Sequence, residues 1–94
     1  MPKDPYFRQK DFPATMVAIP ACNESKSIQA IVKSIKDKYT ITVLVVDDGS
    51  ADNTGDLAEN AGARVLRLPM NMGAWTAIQT GFRYALTRGY ASVV

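Results

Sequence analysis

A chain of 94 residues, 47% hydrophobic and 21% charged with a net charge of +2, is enough for one globular domain with one modest core, and too ordinary for disorder or repeats. Its eleven Lys and Arg are spread along the chain, which excludes the basic patch of a nucleic-acid or acidic-membrane binder, and no apolar run approaches the ~20 residues of a membrane span. The single cysteine, Cys22, excludes an internal disulfide and fits a reducing compartment, and the absence of histidine excludes His-based triads and His metal sites. The start, with Lys3, Asp4 and Arg8, is unlike a signal peptide, so a cytoplasmic location is expected.

Residues 1–13 carry prolines, three aromatics and mixed charges without a sustained period, and are expected to form an extended leader ahead of a unit spanning 14–94. Thr15 to Ile19 is apolar and β-prone, and Pro20 is expected to end this first strand. Asn23, Glu24 and Ser25 offer capping side chains. Ile28, Ile31, Val32 and Ile35 then follow at the spacing of an amphipathic helix, with Lys33, Lys36 and Lys38 on its wet side. The run Val43 to Val46 is apolar at every position, as a central parallel strand covered on both faces requires. It leads directly into Asp47-Asp48-Gly49-Ser50-Ala51-Asp52-Asn53-Thr54. Gly49 permits a sharp turn, and Ser50 or Asp52 can cap the helix expected from about Asp52 to Asn60, which Gly62 stops.

Arg64 to Leu68 reads as a third strand closed by Pro69. The loop Met70-Asn71-Met72-Gly73 opens a third helix whose Ala74, Ala77, Ile78, Gly81, Phe82 and Ala85 share one side. The small residues Ala77, Gly81 and Ala85 let that helix lie close to a sheet. Gly89 ends it, and Tyr90 to Val94 begins a fourth strand. Strands alternating with helices imply right-handed crossovers and an α/β, Rossmann-like parallel sheet with helices on both faces.

Ligands of such sheets bind beyond the carboxyl ends of the strands, which is where Asp47 and Asp48 fall. Three readings of this acid pair stand. Asp48 and Ser50 can simply cap backbone amides, although Asp47 is needed for neither cap. The pair can belong to a phosphoacceptor or magnesium pocket of the response-regulator kind, but there the acids follow the first strand rather than the second. The third reading is a ligand site.

That third reading comes from a resemblance. Ile19-Pro20-Ala21-Cys22-Asn23-Glu24, Val45-Val46-Asp47-Asp48-Gly49-Ser50-Ala51-Asp52-Asn53-Thr54, and Asn71-Met72-Gly73 with Ala77, Gly81 and Ala85 resemble, in order and spacing, the family 2 glycosyltransferases. The pattern most resembles the branch containing dolichyl-phosphate mannose synthases and other polyprenyl-phosphate glycosyltransferases. The resemblance implies the first half of a GT-A fold, holding the nucleoside of a UDP- or GDP-linked sugar. It places Pro20, Ala21 and Cys22 along the nucleoside with Asn23 and Glu24 close by, and gives Asp47 the base. Asp48 and Ser50 fix the loop, and Gly73 with the amino end of the third helix approaches the ribose or diphosphate. Many relatives carry a basic residue just after the Asn-x-Gly element, where this chain has Ala74 and Trp75.

The resemblance further implies that the complete enzyme uses Mg²⁺ or Mn²⁺ at an Asp-x-Asp motif following the fourth strand, which these 94 residues do not include. No catalytic or metal-binding residue is therefore assigned, and the chain alone is expected to be inactive and to bind no metal tightly. The alternative is a stand-alone nucleotide-binding or protein-interaction module. A homo-oligomer through the exposed edge of the sheet is expected, because Tyr90-Ala91-Ser92-Val93-Val94 lacks the charges or proline that block edge pairing.

Overall fold

The computed structural model describes residues 15–90 and the backbone of 92 and 93; the expected leader lies outside the described residues. The elements are β1 (Thr15–Ala21), α1 (Ile28–Lys38), β2 (Thr42–Asp47), α2 (Thr54–Asn60), β3 (Arg64–Arg67), α3 (Ala74–Thr87) and β4 (Ser92–Val93). All strand pairs are parallel, in the order β3-β2-β1-β4. The α/β alternation read from the sequence is the fold observed, and none of the described helices is long and apolar enough to cross a membrane.

β2 is central, and its Val43, Leu44, Val45 and Val46 are at most 1% exposed. Successive side chains of a strand point to opposite faces, so this strand serves two cores at once. Val43 and Val45 pack with Ile28 and Val32 of α1 and Ala58 of α2. Leu44 and Val46 pack with Met16 of β1 and with Ala77 and Ala85 of α3. Glycine at position 81 brings α3 down onto this second face, where an added Cβ would meet Ala18 Cβ and Val46 Cγ2 at 3.3 Å.

Some boundaries differ from those read in the sequence. β1 continues through Pro20, which pairs with Val46, to Ala21, which pairs with Asp47. The Asp48 N–H donates to the Ala21 carbonyl at 2.8 Å, so Ala21 faces β2 and, by alternation, the donorless nitrogen of Pro20 faces the other flank. On that flank, among the described residues, β4 pairs with Thr15 and Met16 alone, so the proline interrupts no hydrogen bond there.

Within the helices, Ile31 is 42% and Phe82 43% exposed, and Ala74 is exposed too, although each was expected on a buried face. A helix seated on small residues touches the sheet along a narrow strip. Phe82, rotated about 100° from Gly81, falls outside that strip. Tyr90 belongs to the close of α3, donating its N–H to the Ala85 carbonyl at 3.0 Å, and the fourth strand is described only over Ser92–Val93.

Candidate functional site

The carboxyl ends of β1 and β2 lie side by side, and their alternation separates the two adjacent acids. Asp47 continues the row of Val43 and Val45 toward α1 and α2, whereas Asp48 continues the row of Leu44 and Val46 toward α3. Asp48 is 3% exposed. Its Oδ1 accepts the Met72 N–H at 2.6 Å and its Oδ2 the Gly73 N–H at 3.0 Å, so it secures the loop entering α3 and not its own turn. Asp47, 7% exposed, accepts the Ser50 N–H at 3.1 Å through Oδ1. Its Oδ2 lies against Gly55, where an added Cβ would stand 2.8 Å from that oxygen and 2.9 Å from Arg67 Nε.

Two clefts follow from this divergence. One, of about 220 Å³, is lined by Pro20, Ala21, Cys22, Glu24, Asp48 and Ala74. The other, of about 250 Å³, includes Asp47, Ser50, Asp52, Gly55, Asp56 and Arg67 in its wall. Five of the residues expected at a ligand site, Pro20, Ala21, Cys22, Glu24 and Asp48, thus meet around one cavity, while Asp47 stands in the other. Gly73 joins the first cavity indirectly, through the N–H it donates to Asp48, and its neighbour Ala74 forms part of the wall. Cys22 Sγ accepts a hydrogen bond from Asn71 Nδ2 at 3.2 Å. A third cleft, at the amino end of β2, is lined among the described residues by Lys36, Tyr39, Thr40, Ile41 and Thr42, none of them a carboxylate.

The loops after β1 and β2 are tied to each other. The N–H of Asn23 donates to Ser50 Oγ at 2.9 Å, that of Glu24 to Thr54 Oγ1 at 2.9 Å, and that of Ser25 to Asp52 Oδ2 at 3.2 Å. In return, Asn23 Oδ1 accepts the Ala51 N–H at 2.8 Å. The capping roles expected of Asn23, Glu24 and Ser25 for α1 are accordingly not observed. α1 is entered through a turn in which the Glu24 carbonyl accepts the N–H groups of Ser27 and Ile28, and the cap residue Ser27 makes no side-chain cap bond. Ser50 does not cap α2 either, because its hydroxyl is committed to Asn23. Asp52 does take the N–H of Thr54, the first residue of α2, at 3.0 Å. The Thr54 hydroxyl donates to the same carboxylate oxygen. Chiefly through that hydroxyl bond, opposed by some desolvation and helped by Ser25 and the Thr54 amide, the Asp52 carboxyl is held below its ordinary value of 3.8.

Arg67 and Thr54 were not singled out in the sequence. Arg67, opposite Asp47 in the β2–β3 register, pairs through Nη2 with Asp56 at 2.8 Å and Glu59 at 3.5 Å. Its only sequence signal is a charge at the last position of a strand. Thr54 is fully buried, and the signal for it was its place at the end of the acidic loop.

The family whose sequence pattern matches this chain is glycosyl transferase family 2, over residues 16–93. The polyprenol monophosphomannose synthase of Mycolicibacterium smegmatis is 34% identical over 87 residues, covering 85% of this chain and 33% of that protein. The undecaprenyl-phosphate mannosyltransferase of Micrococcus luteus is 36% identical over 85 residues, covering 84% and 35%. Among solved structures, glucosyl-3-phosphoglycerate synthase from Mycobacterium tuberculosis in complex with Mn²⁺, UDP-glucose and phosphoglyceric acid superposes with a TM-score of 0.70 at 27% identity, covering 92% of this chain and 34% of that one. The chain therefore spans about a third of the length of these relatives. The matched span, the parallel sheet and the GT-A architecture of its structural neighbours agree: the chain belongs to glycosyl transferase family 2.

Proposed function

We propose that the cavity bounded by Pro20, Ala21, Cys22, Glu24, Asp48 and Ala74 receives the nucleoside of a UDP- or GDP-linked sugar, and that the whole protein transfers this sugar to an acceptor. The observation that carries this reading is the Asp48 carboxylate, nearly buried in the cavity wall beside the loop that begins at Pro20. An ionised carboxylate only accepts hydrogen bonds, and uracil N3–H or guanine N1–H and N2–H₂ are donors of matching sense. Two backbone N–H groups already fix Asp48 in place, and a carboxylate offers about four acceptor sites, so the remainder can serve a base.

This reading gives Asp48 the base contact that the family resemblance gave to Asp47, because Asp47 lies on the other face of β2. Asp47 instead holds the acidic loop through the Ser50 amide. Ala74 and Trp75 place no cation beside the cavity, so a diphosphate gains no ion pair from the start of α3. Solved relatives contain Mn²⁺ or Mg²⁺ with UDP. Among the described residues no group of three or more Asp, Glu, Cys or His comes together to hold such an ion, so no step is assigned to a metal here. The described residues supply the nucleoside end of a donor site.

Isothermal calorimetry tests the proposal. UDP or GDP is expected to bind with micromolar to millimolar affinity, since nucleoside contacts alone are available. Asp48→Asn should abolish binding, and so should Ala74→Glu, which leaves the fold intact and sets a negative charge at the mouth. Binding undiminished in both variants would overturn the proposal.

A further inference from the structure

The loop that walls the nucleoside cavity has the N–H groups at its start held from outside it. Three consecutive N–H groups, those of Asn23, Glu24 and Ser25, are each captured by a side chain of the neighbouring acidic loop: Ser50, Thr54 and Asp52 in turn. The captors alternate along the chain, and none of them lines the cavity, whose wall includes Glu24. Thr54 is the pivot. It is fully buried, its hydroxyl accepts from Glu24 and donates to Asp52, and the other oxygen of Asp52 reaches Ser25. At its first residue the captured segment holds Asn23 at a φ of 54°, a left-handed conformation that Asn tolerates but that an untethered loop leaves readily.

We infer that Ser50, Asp52 and Thr54 are positioning residues for nucleoside binding, acting as a clasp that sets the 22–25 backbone in its receiving conformation from outside the cavity. The inference rests on the reading of the cavity given above. It deepens that reading by assigning the acidic loop a role in affinity without contact to the ligand. Each lost capture frees a backbone N–H that must then find water, and the loop spreads over conformations in which the cavity wall is displaced. The cost appears as a lower fraction of binding-competent chains and hence a weaker apparent affinity.

The test compares Thr54→Val, which keeps the shape and removes the hydroxyl, with Thr54→Ser, which keeps the hydroxyl. Titrated with UDP and GDP, Thr54→Val is expected to bind about tenfold more weakly than the natural sequence and Thr54→Ser within about twofold, the span expected for one lost buried hydrogen bond. Amide hydrogen exchange at Glu24 should accelerate in the first variant only. Val43→Ala, a core change at the far end of β2, should lower the melting temperature and leave the affinity unchanged, separating positioning from stability. Should Thr54→Val not fold, the exposed Asp52 supplies Asp52→Asn, expected to weaken binding about threefold. Affinity unchanged in Thr54→Val, or in Asp52→Asn where that variant stands in, would overturn the clasp and leave the cavity reading standing. Absence of UDP and GDP binding by the natural sequence would overturn both.

Discussion

Asp48 Oδ2 accepts the backbone N–H of Gly73 at 3.0 Å, joining the tip of the central strand to the loop that opens α3 twenty-five positions later. With the Met72 bond, this makes one nearly buried carboxylate the anchor of that entire crossing. Asp48→Asn turns one acceptor into a donor that faces a donor. It is expected to cost about 1–3 kcal/mol, seen as a lower urea midpoint; an unchanged midpoint would mean the loop is held by other contacts.

Gly49 sits directly after that anchor with φ +68°, and a Cβ there would overlap the Met70 carbonyl carbon and the Asn71 nitrogen. Gly49→Ala combines left-handed strain with a backbone collision and should destabilise by more than about 1 kcal/mol. Gly89→Ala is the comparison. It has a similar φ of +83° but open space around the added carbon, so it should cost about 1 kcal/mol or less in the same urea titration.

Asp52 gives the clasp a pH signature. Because its folded-state value is depressed, its contribution to stability is complete above the unfolded value and is lost as pH falls through the folded one, below 3.8. Carboxyl titration by NMR should place its midpoint below 3.8 in the natural sequence, and Thr54→Val should move the midpoint upward. A natural-sequence midpoint at or above 3.8 would contradict the hydrogen-bonded arrangement.

Self-association is expected through the outer edge of β4, which pairs with β1 on one side and has no neighbour on the other among the described residues. Trp75 and Leu86 of α3, 70% and 71% exposed, offer apolar surface that such an assembly could also cover. A specific interface should bury at least about 1,000 Å² in total. Light scattering over a concentration series should show a mass above that of the monomer at high micromolar concentration, reduced in Leu86→Lys. A strictly monomeric mass would exclude the association.

How much could be read in advance depended on how local the deciding interactions were. Val43 to Val46 announced the central strand because burial on both faces leaves no polar position. Pro20 misled as a terminator, since whether its missing N–H matters depends on what lies on that flank of β1. Asp47 and Asp48 were marked as important, but their neighbouring positions concealed that they serve opposite faces. Which face carries the cavity is decided by where α3 packs. Ser50 and Asp52 looked like helix caps because capping is local. Their bonds instead reach 27 residues back to Asn23 and Ser25, a pairing that exists only once β1 and β2 stand in register.

The most direct test of the nucleoside site is an NMR titration of the ¹⁵N-labelled protein with UDP and with GDP, following backbone amides on both sides of β2. The account predicts shifts, saturating by millimolar concentration, at Ala21, Cys22, Glu24, Asp48 and Ala74, with Asp56, Arg67 and Leu68 undisturbed. No shift with either nucleotide, or shifts confined to the cleft of Asp47 and Arg67, would contradict it.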